Sequence, residues 1–421
     1  MAPAALWVYR TILTASLPVL APYFLLQARK RGRDRPPLSQ RLGRRLPPLP
    51  VDGVWIQAVS VGEVAVARPV LAELRRRHPT LGLTLSSTTA TGLRLASGQQ
   101  LADAVVPFPV DLPGPIQRVL DLARPRLVIL IETELWPELL AQCGRRRIPV
   151  ALVNARVSER SFRSYRLVRS LLQPLLQPIS QVLAQDDADA RRFAELGVPG
   201  ERIRVVGNIK FDASPPGAPA AVLGSLTQLA GDRPILVAGS TVAGEESLVL
   251  DAWRSLARPR RPLLVMAPRH PERAGEVLDL ATDRGVAAVR RTRIDAAPAP
   301  CDLVVLDTIG ELAAVYQLAR VAFVGGSLVP VGGHNPIEPA HHGVPVLTGP
   351  HVRNFVTIYR ELFKAGAARV VYTSAQMAEL LSAWLDDPEG ARQAGEAGRA
   401  FLGRHAGVTR LTVDALEPFL A

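Results

Sequence analysis

From residue 51 onward the chain alternates short runs of consecutive apolar residues with longer stretches in which apolar positions recur every three or four residues. Unbroken apolar runs of four to six residues suit strands buried on both faces, and the 3.6-residue period suits helices laid over them, so the pattern predicts α/β architecture with parallel sheets. The first series places strands at Val54 to Ala58, Leu81 to Ser86, Ala104 to Phe108, Leu127 to Ile131, Val150 to Asn154 and Gln181 to Ala184, with helices between them. Order loosens around ASPPGAP, Ala213 to Pro219, and on to Gly231. A second series starts at Pro234, with strands at Ile235 to Ala238, Leu263 to Ala267, Leu303 to Leu306, Val321 to Val324 and Val344 to Leu347. Two further amphipathic segments, Ala375 to Asp386 and Val408 to Leu420, close the chain.

The first fifty residues follow neither pattern. From Ala2 to Ala28 the only charge is Arg10, and Arg29, Lys30, Arg31, Arg33 and Arg35 follow at once. An apolar span with a basic flank predicts an N-terminal membrane anchor that keeps the body on the cytoplasmic side. Pro18 and Pro22 leave open a helix lying in one leaflet, and a cleaved signal peptide is the competing reading. Residues 29–50 form a basic, membrane-proximal segment suited to anionic headgroups: Arg29 to Arg45 holds eight basic residues and one acid, Asp34.

Composition narrows the class. At 421 residues, 48% hydrophobic and 21% charged, the chain predicts folded domains. The net charge of +12 admits nucleic acid as a partner, but aromatic residues are only 5% and no nucleic-acid motif is present. An anionic membrane or acidic substrate is the better match. Cys143 and Cys301 lie far apart without a CxxC pattern, which points to neither a disulfide framework nor zinc.

Candidate chemistry collects where strands end, the place where ligands bind in such sheets. FVGGSLVPVGGHNPIEP, Phe323 to Pro339, reads as a strand, a glycine-rich loop and a helix start, with Asn335 as N-cap and Pro336 in the first turn. Free backbone N–H groups there would attract an anion, unless the segment is merely a connecting turn. Glu63 follows a strand and the Ser60-Val61-Gly62 turn, as a general base or an ordinary first-turn acid. Glu132 and Glu134 flank Thr133 at the end of another strand, where an acid is costly unless solvated or paired. Lys210 in GNIKFD and Arg269 in APRHPER are candidate phosphate or carboxylate ligands. The D-x-D in QDDAD, Gln185 to Asp189, reads as a helix start, and the histidines lack metal-ligand spacing, so no metal is expected.

SVGE at Ser60 to Glu63, ETELWP at Glu132 to Pro137, NAR at Asn154 to Arg156, GNIKFD, PRHPER, and GGHNPIEP at Gly332 to Pro339 together resemble the bacterial Kdo transferases, in order and spacing along nearly the whole chain. The resemblance implies a GT-B fold: two facing Rossmann-like domains with a deep interdomain cleft, plus the N-terminal anchor helix. It divides the chain into an anchor (1–28), a basic segment (29–50), an acceptor domain (51–212), a linker (213–232), a CMP-sugar-binding domain (233–405) and a C-terminal helix (406–421) packing back toward the first domain. It implies transfer of 3-deoxy-D-manno-octulosonic acid (Kdo) from CMP-Kdo to a lipid A precursor, at the inner membrane. Glu63 would be the base, and Glu132 and Lys210 stabilisers of the transition state. CMP would be held by Pro268 and Arg269, by Ile309, Gly310 and Glu311, and by Asn335, Pro336, Ile337 and Glu338. The alternatives are a UDP-sugar transferase or epimerase of the same fold, or a non-catalytic lipid-binding scaffold.

Overall fold

The computed structural model describes residues 6–16, 37–133, 135–212, 220–256, 261–297 and 300–420. Contacts divide the chain into two units, Met1–Ala213 with Gly407–Ala421, and Ser214–Ala406.

The N-terminal unit is built on seven parallel strands: β1 (Val54–Gln57), β2 (Leu83–Ser87), β3 (Ala104–Pro107), β4 (Leu127–Ile131), β5 (Val150–Ala155), β6 (Ile179–Ala184) and β7 (Ile203–Val205), in the order β3-β2-β1-β4-β5-β6-β7. Because strand side chains alternate between faces, two cores form. Val54, Ile56, Leu83, Leu85, Leu127 and Ile129 meet Val64, Val70, Leu71 and Leu74 of the helix Val61–Arg77 on one face. Trp55, Val128, Leu130, Val150 and Leu152 meet Ile116, Leu120, Leu139, Leu140 and Phe193 on the other. Truncating a fully buried leucine such as Leu74 to alanine costs about 2–5 kcal/mol.

The C-terminal unit repeats the plan with β8 (Ile235–Thr241), β9 (Leu263–Pro268), β10 (Ala288–Arg290), β11 (Leu303–Val305), β12 (Ala319–Val324), β13 (Val346–Thr348) and β14 (Ala368–Val370), also parallel, in the order β10-β11-β9-β8-β12-β13-β14. Leu236, Ala238, Leu264, Met266 and Phe323 face one core, and Ile235, Val237, Leu263, Val265 and Ala322 the other.

The chain's last helix, Val408–Leu416, belongs to the N-terminal unit. Val408, Val413 and Leu416 join its first core, Arg77 Nη1 pairs with Asp414 Oδ1 at 2.6 Å, and the Asp212 carboxylate accepts the backbone N–H groups of Gly407 and Thr409.

Three strands carry no apolar run in the sequence: β7, β10 and β14, each of three residues and each at a sheet edge. An edge strand is covered on fewer sides, so its pattern is mixed. The expected linker also ends early. Residues 213–219 lie outside the described set, but Ala220–Ala230 is a helix with Val222, Leu226 and Ala230 buried in the C-terminal unit, a four-residue period that the neighbouring prolines obscured.

Residues 6–16 are helical, while 1–5 and 17–36, most of the expected anchor, lie outside the described residues. The helix is fastened to the N-terminal unit by polar groups. Arg10 donates from Nε and Nη2 to both oxygens of buried Glu138, at 2.7 and 3.0 Å, and the Tyr9 hydroxyl donates to Asp111 Oδ2 at 2.8 Å. Leu6 is buried against Leu175, whereas Trp7, Val8 and Ile12 are exposed. Among the described residues, no helix is long and apolar enough to cross a membrane.

Candidate active site

In the N-terminal sheet the strand order reverses between β1 and β4, which pair in register with Gln57 beside Leu130. The two chain segments leaving those strands diverge to opposite faces and open a crevice at their carboxyl ends. Glu63 follows β1 and Glu132 follows β4, so each lies at this point. Ser60 is the extended N-cap of Val61–Arg77, and Glu63 sits in the first turn, nearly buried at 9% exposure. Its Oε2 accepts the Val59 N–H at 2.7 Å and its Oε1 accepts the Ser60 hydroxyl at 3.3 Å, which fixes the side chain over the turn.

Glu132 follows β4 directly, in the left-handed region, φ 61°. Its Oε1 accepts Lys210 Nζ at 3.0 Å, and Arg156 Nε lies 3.5 Å from Oε2. Lys210, a candidate phosphate or carboxylate ligand, is therefore paired within the N-terminal unit. Asn154, buried and also left-handed at φ 56°, accepts the Ile209 N–H at Oδ1, 2.9 Å, and so holds the 3-10 turn Ile209–Asp212 that carries Lys210. Gln185 bridges the same segments: its Nε2 donates to Asn154 O and its Oε1 accepts Asn208 Nδ2. Glu134 lies outside the described residues. Asp186 caps the helix Asp187–Leu196 by accepting the Asp189 N–H, the helix-start reading of QDDAD.

In the C-terminal unit the residues expected around CMP all follow strands at one sheet end. Pro268 ends β9 and Arg269, exposed, comes next, its N–H donating to Thr241 O at 2.8 Å. Ile309, 88% exposed, Gly310 at φ 94° and Glu311 follow β11, with Glu311 Oε1 paired to Arg291 Nη2 at 2.9 Å. Asn335 to Glu338 follow β12. Asn335 Nδ2 donates to Glu338 Oε1 at 3.2 Å, and protein packed around the Glu338 carboxyl raises its pKa, against the hydrogen bond from Asn335 and the positive charge of Arg269. Burial and the nearby Arg269 lower the pKa of His334, whose Nδ1 lies 2.8 Å from Ser240 O.

The glycine-rich loop departs from expectation in two respects. Its helix is only Ile337–His341, with Pro336 at the N-cap and Asn335 Oδ1 accepting the Ile337 N–H. More consequentially, its N–H groups are already engaged by Glu245, a residue the sequence reading did not single out: Gly326, Ser327 and Leu328 donate to it at 2.7, 2.8 and 2.8 Å. Gly332 and Gly333 both have positive φ, and a Cβ on Gly332 would stand 2.8 Å from Asn354 Nδ2, so both positions require glycine.

The family model described as 3-Deoxy-D-manno-octulosonic-acid transferase (kdotransferase) matches residues 35–213. The chain is 36% identical to the 3-deoxy-D-manno-octulosonic acid transferase of Haemophilus influenzae, over 98% of both chains. It is 35% identical to that of Bordetella pertussis, over 98% of this chain and 99% of the relative. The chain belongs to the Kdo transferase family. It is thus a glycosyltransferase, and the scaffold reading falls away. Among solved structures, a UDP-GlcNAc 2-epimerase from Neisseria meningitidis bound to UDP-GlcNAc superposes with TM-score 0.57 at 15% identity, covering 87% of this chain and 100% of that one. A putative UDP-N-acetylglucosamine 2-epimerase from Listeria monocytogenes gives 0.59 at 14%, covering 88% and 97%. At such identities they show the fold alone: two parallel-sheet α/β domains resembling GT-B glycosyltransferases. In this Kdo transferase, both strand-end clusters come from the motifs that carried the resemblance, apart from Ile309 to Glu311, and Glu245 is the addition.

Proposed function

We propose that the transferase moves Kdo from CMP-Kdo to a lipid A precursor of the lipid IVA type, with inversion. The observation that carries the proposal is the constellation at the β1/β4 reversal: an almost buried, doubly hydrogen-bonded Glu63 beside a strand whose Glu132 is paired with Lys210. In the reaction the acceptor oxygen bonds to the anomeric carbon of Kdo, the bond from that carbon to the CMP phosphate breaks with its electron pair leaving on phosphate, and the acceptor proton passes to Glu63. Such a base contributes roughly 10²–10⁴-fold. The sugar carbon gains positive character that the Glu132 carboxylate offsets, and Lys210, itself held by Glu132, supplies positive charge for the Kdo carboxylate or the leaving phosphate.

CMP is assigned to the C-terminal unit: Arg269 to the phosphate, and Asn335 to Glu338 with Ile309 to Glu311 to the nucleoside. A monophosphate leaving group develops less charge than a diphosphate, so the proposal invokes no metal. Residues 1–28 anchor the protein to the inner membrane with both units on the cytoplasmic side, as the basic residues 29–50 favour on an anionic surface. The exposed Trp7, Val8 and Ile12, on a helix strapped down by Tyr9 and Arg10, support an interfacial segment over a spanning one for residues 6–16. Incubating the purified full-length enzyme with CMP-Kdo, or with a panel of UDP-sugars, and a tetraacylated lipid A precursor tests the reading. A product heavier by Kdo only from CMP-Kdo supports it; transfer from a UDP-sugar instead would replace it.

A further inference from the structure

In the C-terminal sheet the strand order reverses between β8 and β12. The loop after β12 is where a glycine-rich segment would present backbone N–H groups to phosphates. Buried N–H groups must find acceptors, so their partners can be followed one by one. The Gly325 N–H donates to Gly239 O, those of Gly332 and Gly333 to Gly326 O, and that of His334 to Gly325 O. Those of Gly326, Ser327 and Leu328 converge on the Glu245 carboxylate, which also accepts the Val242 N–H at 3.0 Å. Glu245 is fully buried, opens the helix Glu245–Arg254, and receives N–H donors at both oxygens, the environment of a fixed carboxylate. An internal anion thus fills the nest in which a glycine loop would otherwise hold a phosphate.

Of the residues proposed for CMP, Asn335 to Glu338 directly follow this locked loop, and Arg269 is tied to the Ser240-Thr241 segment that meets its end. His334 lies at its end and feels the charges of both Arg269 and Glu245. Ser240 and Thr241, whose carbonyls meet His334 Nδ1 and the Arg269 N–H, are in the segment that leads into Glu245. One phosphate can be met by the Arg269 guanidinium. A second would find the loop's N–H groups occupied and a fixed negative charge behind them.

We propose that Glu245 is a specificity-determining residue that restricts the donor to nucleoside monophosphate sugars and rejects nucleoside diphosphate sugars. Discrimination by an unfavourable element set against the wrong ligand is as effective as added contacts to the right one. The inference rests on the CMP reading above and adds to it the residue responsible for the phosphate count.

Calorimetric titration of the full-length enzyme with CMP and with CDP tests it. The wild type is expected to bind CMP at least about tenfold more tightly than CDP. Glu245→Gln, which keeps the shape but removes the charge, is expected to bring the two affinities within about threefold of each other, and Glu245→Asp to retain most of the preference. Equal affinities in the wild type overturn the proposal even if Glu245→Gln does not fold. An unchanged preference in a folded Glu245→Gln overturns it as well. If the wild type binds neither nucleotide, the CMP reading fails, and this inference with it.

Discussion

Each unit places a glutamate after the first strand of its sheet, behind a short turn ending in glycine: Val61-Gly62-Glu63 after β1 and Ala243-Gly244-Glu245 after β8. Both sit where the strand order reverses, and both reach back to a backbone N–H of the turn, Val59 in one case and Val242 in the other. Their remaining oxygens differ. Glu63 Oε1 accepts the Ser60 hydroxyl at 3.3 Å and the residue keeps some exposure, whereas Glu245 Oε1 accepts the Ser327 and Leu328 N–H groups and the residue keeps none. One position in the fold therefore yields a carboxylate that keeps some exposure and, in the other domain, a carboxylate spent on shaping a loop. What differs is the neighbouring strand's loop: after β4 it carries Glu132, which is paired with Lys210 of the turn Ile209–Asp212, and after β12 it offers N–H groups.

The comparison breaks first at Glu63. Glu63→Gln is expected to lower the turnover number about 10³-fold while leaving CMP affinity unchanged; a loss below tenfold in an assay with CMP-Kdo and lipid acceptor would remove Glu63 from the role of base. Next is the cation paired with Glu132 of the β4 loop. Lys210→Ala should reduce kcat about 10²-fold with little change in KM, and a change confined to KM would make Lys210 a binding residue instead. In the other unit, Arg269→Ala is expected to weaken CMP about 10- to 100-fold by calorimetry, the worth of a charged hydrogen bond, with the thermal midpoint preserved because the side chain is exposed.

A measurement of stability rather than turnover tests whether burial alone seals a carboxylate. Asp111 is nearly as buried as Glu245 but receives fewer N–H groups, those of Glu138 and Leu139, with the Tyr9 hydroxyl. Burial pushes its pKa up to about 6, against those hydrogen bonds. A raised carboxyl pKa means that the folded state binds the proton more tightly than the unfolded chain does. This contribution to stability is complete below about pH 4 and is lost as pH rises to about 6, at most about 3 kcal/mol. Denaturant titrations of wild type and Asp111→Asn across that window should diverge by this amount; parallel curves would show that Asp111 titrates normally.

Much of the site was legible because its motifs are local. SVGE, ETELWP and GNIKFD each combine a strand end with a chemically distinct residue, and parallel sheets put strand ends on one face. Lys210 was readable as a candidate cation but not as the partner of Glu132, 78 residues away in sequence. Glu245 was missed for a related reason: a glutamate in the first turn of a helix looks like any other helix-start acid, and its partners lie 81 to 83 residues further along. The one local signal was the repeated glycine-glutamate pair after a first strand.

The sequence by itself determined the architecture and the family, since apolar runs of strand length separated by helical periods admit little besides two parallel α/β units, and the motifs are long. Tertiary structure alone decided which groups face which. It paired Lys210 with Glu132, and turned an apparent phosphate nest into the seat of Glu245. The physical reason is that secondary structure follows from neighbours within about four residues, while the state of a carboxylate or an N–H group depends on what the fold brings within about 3 Å of it.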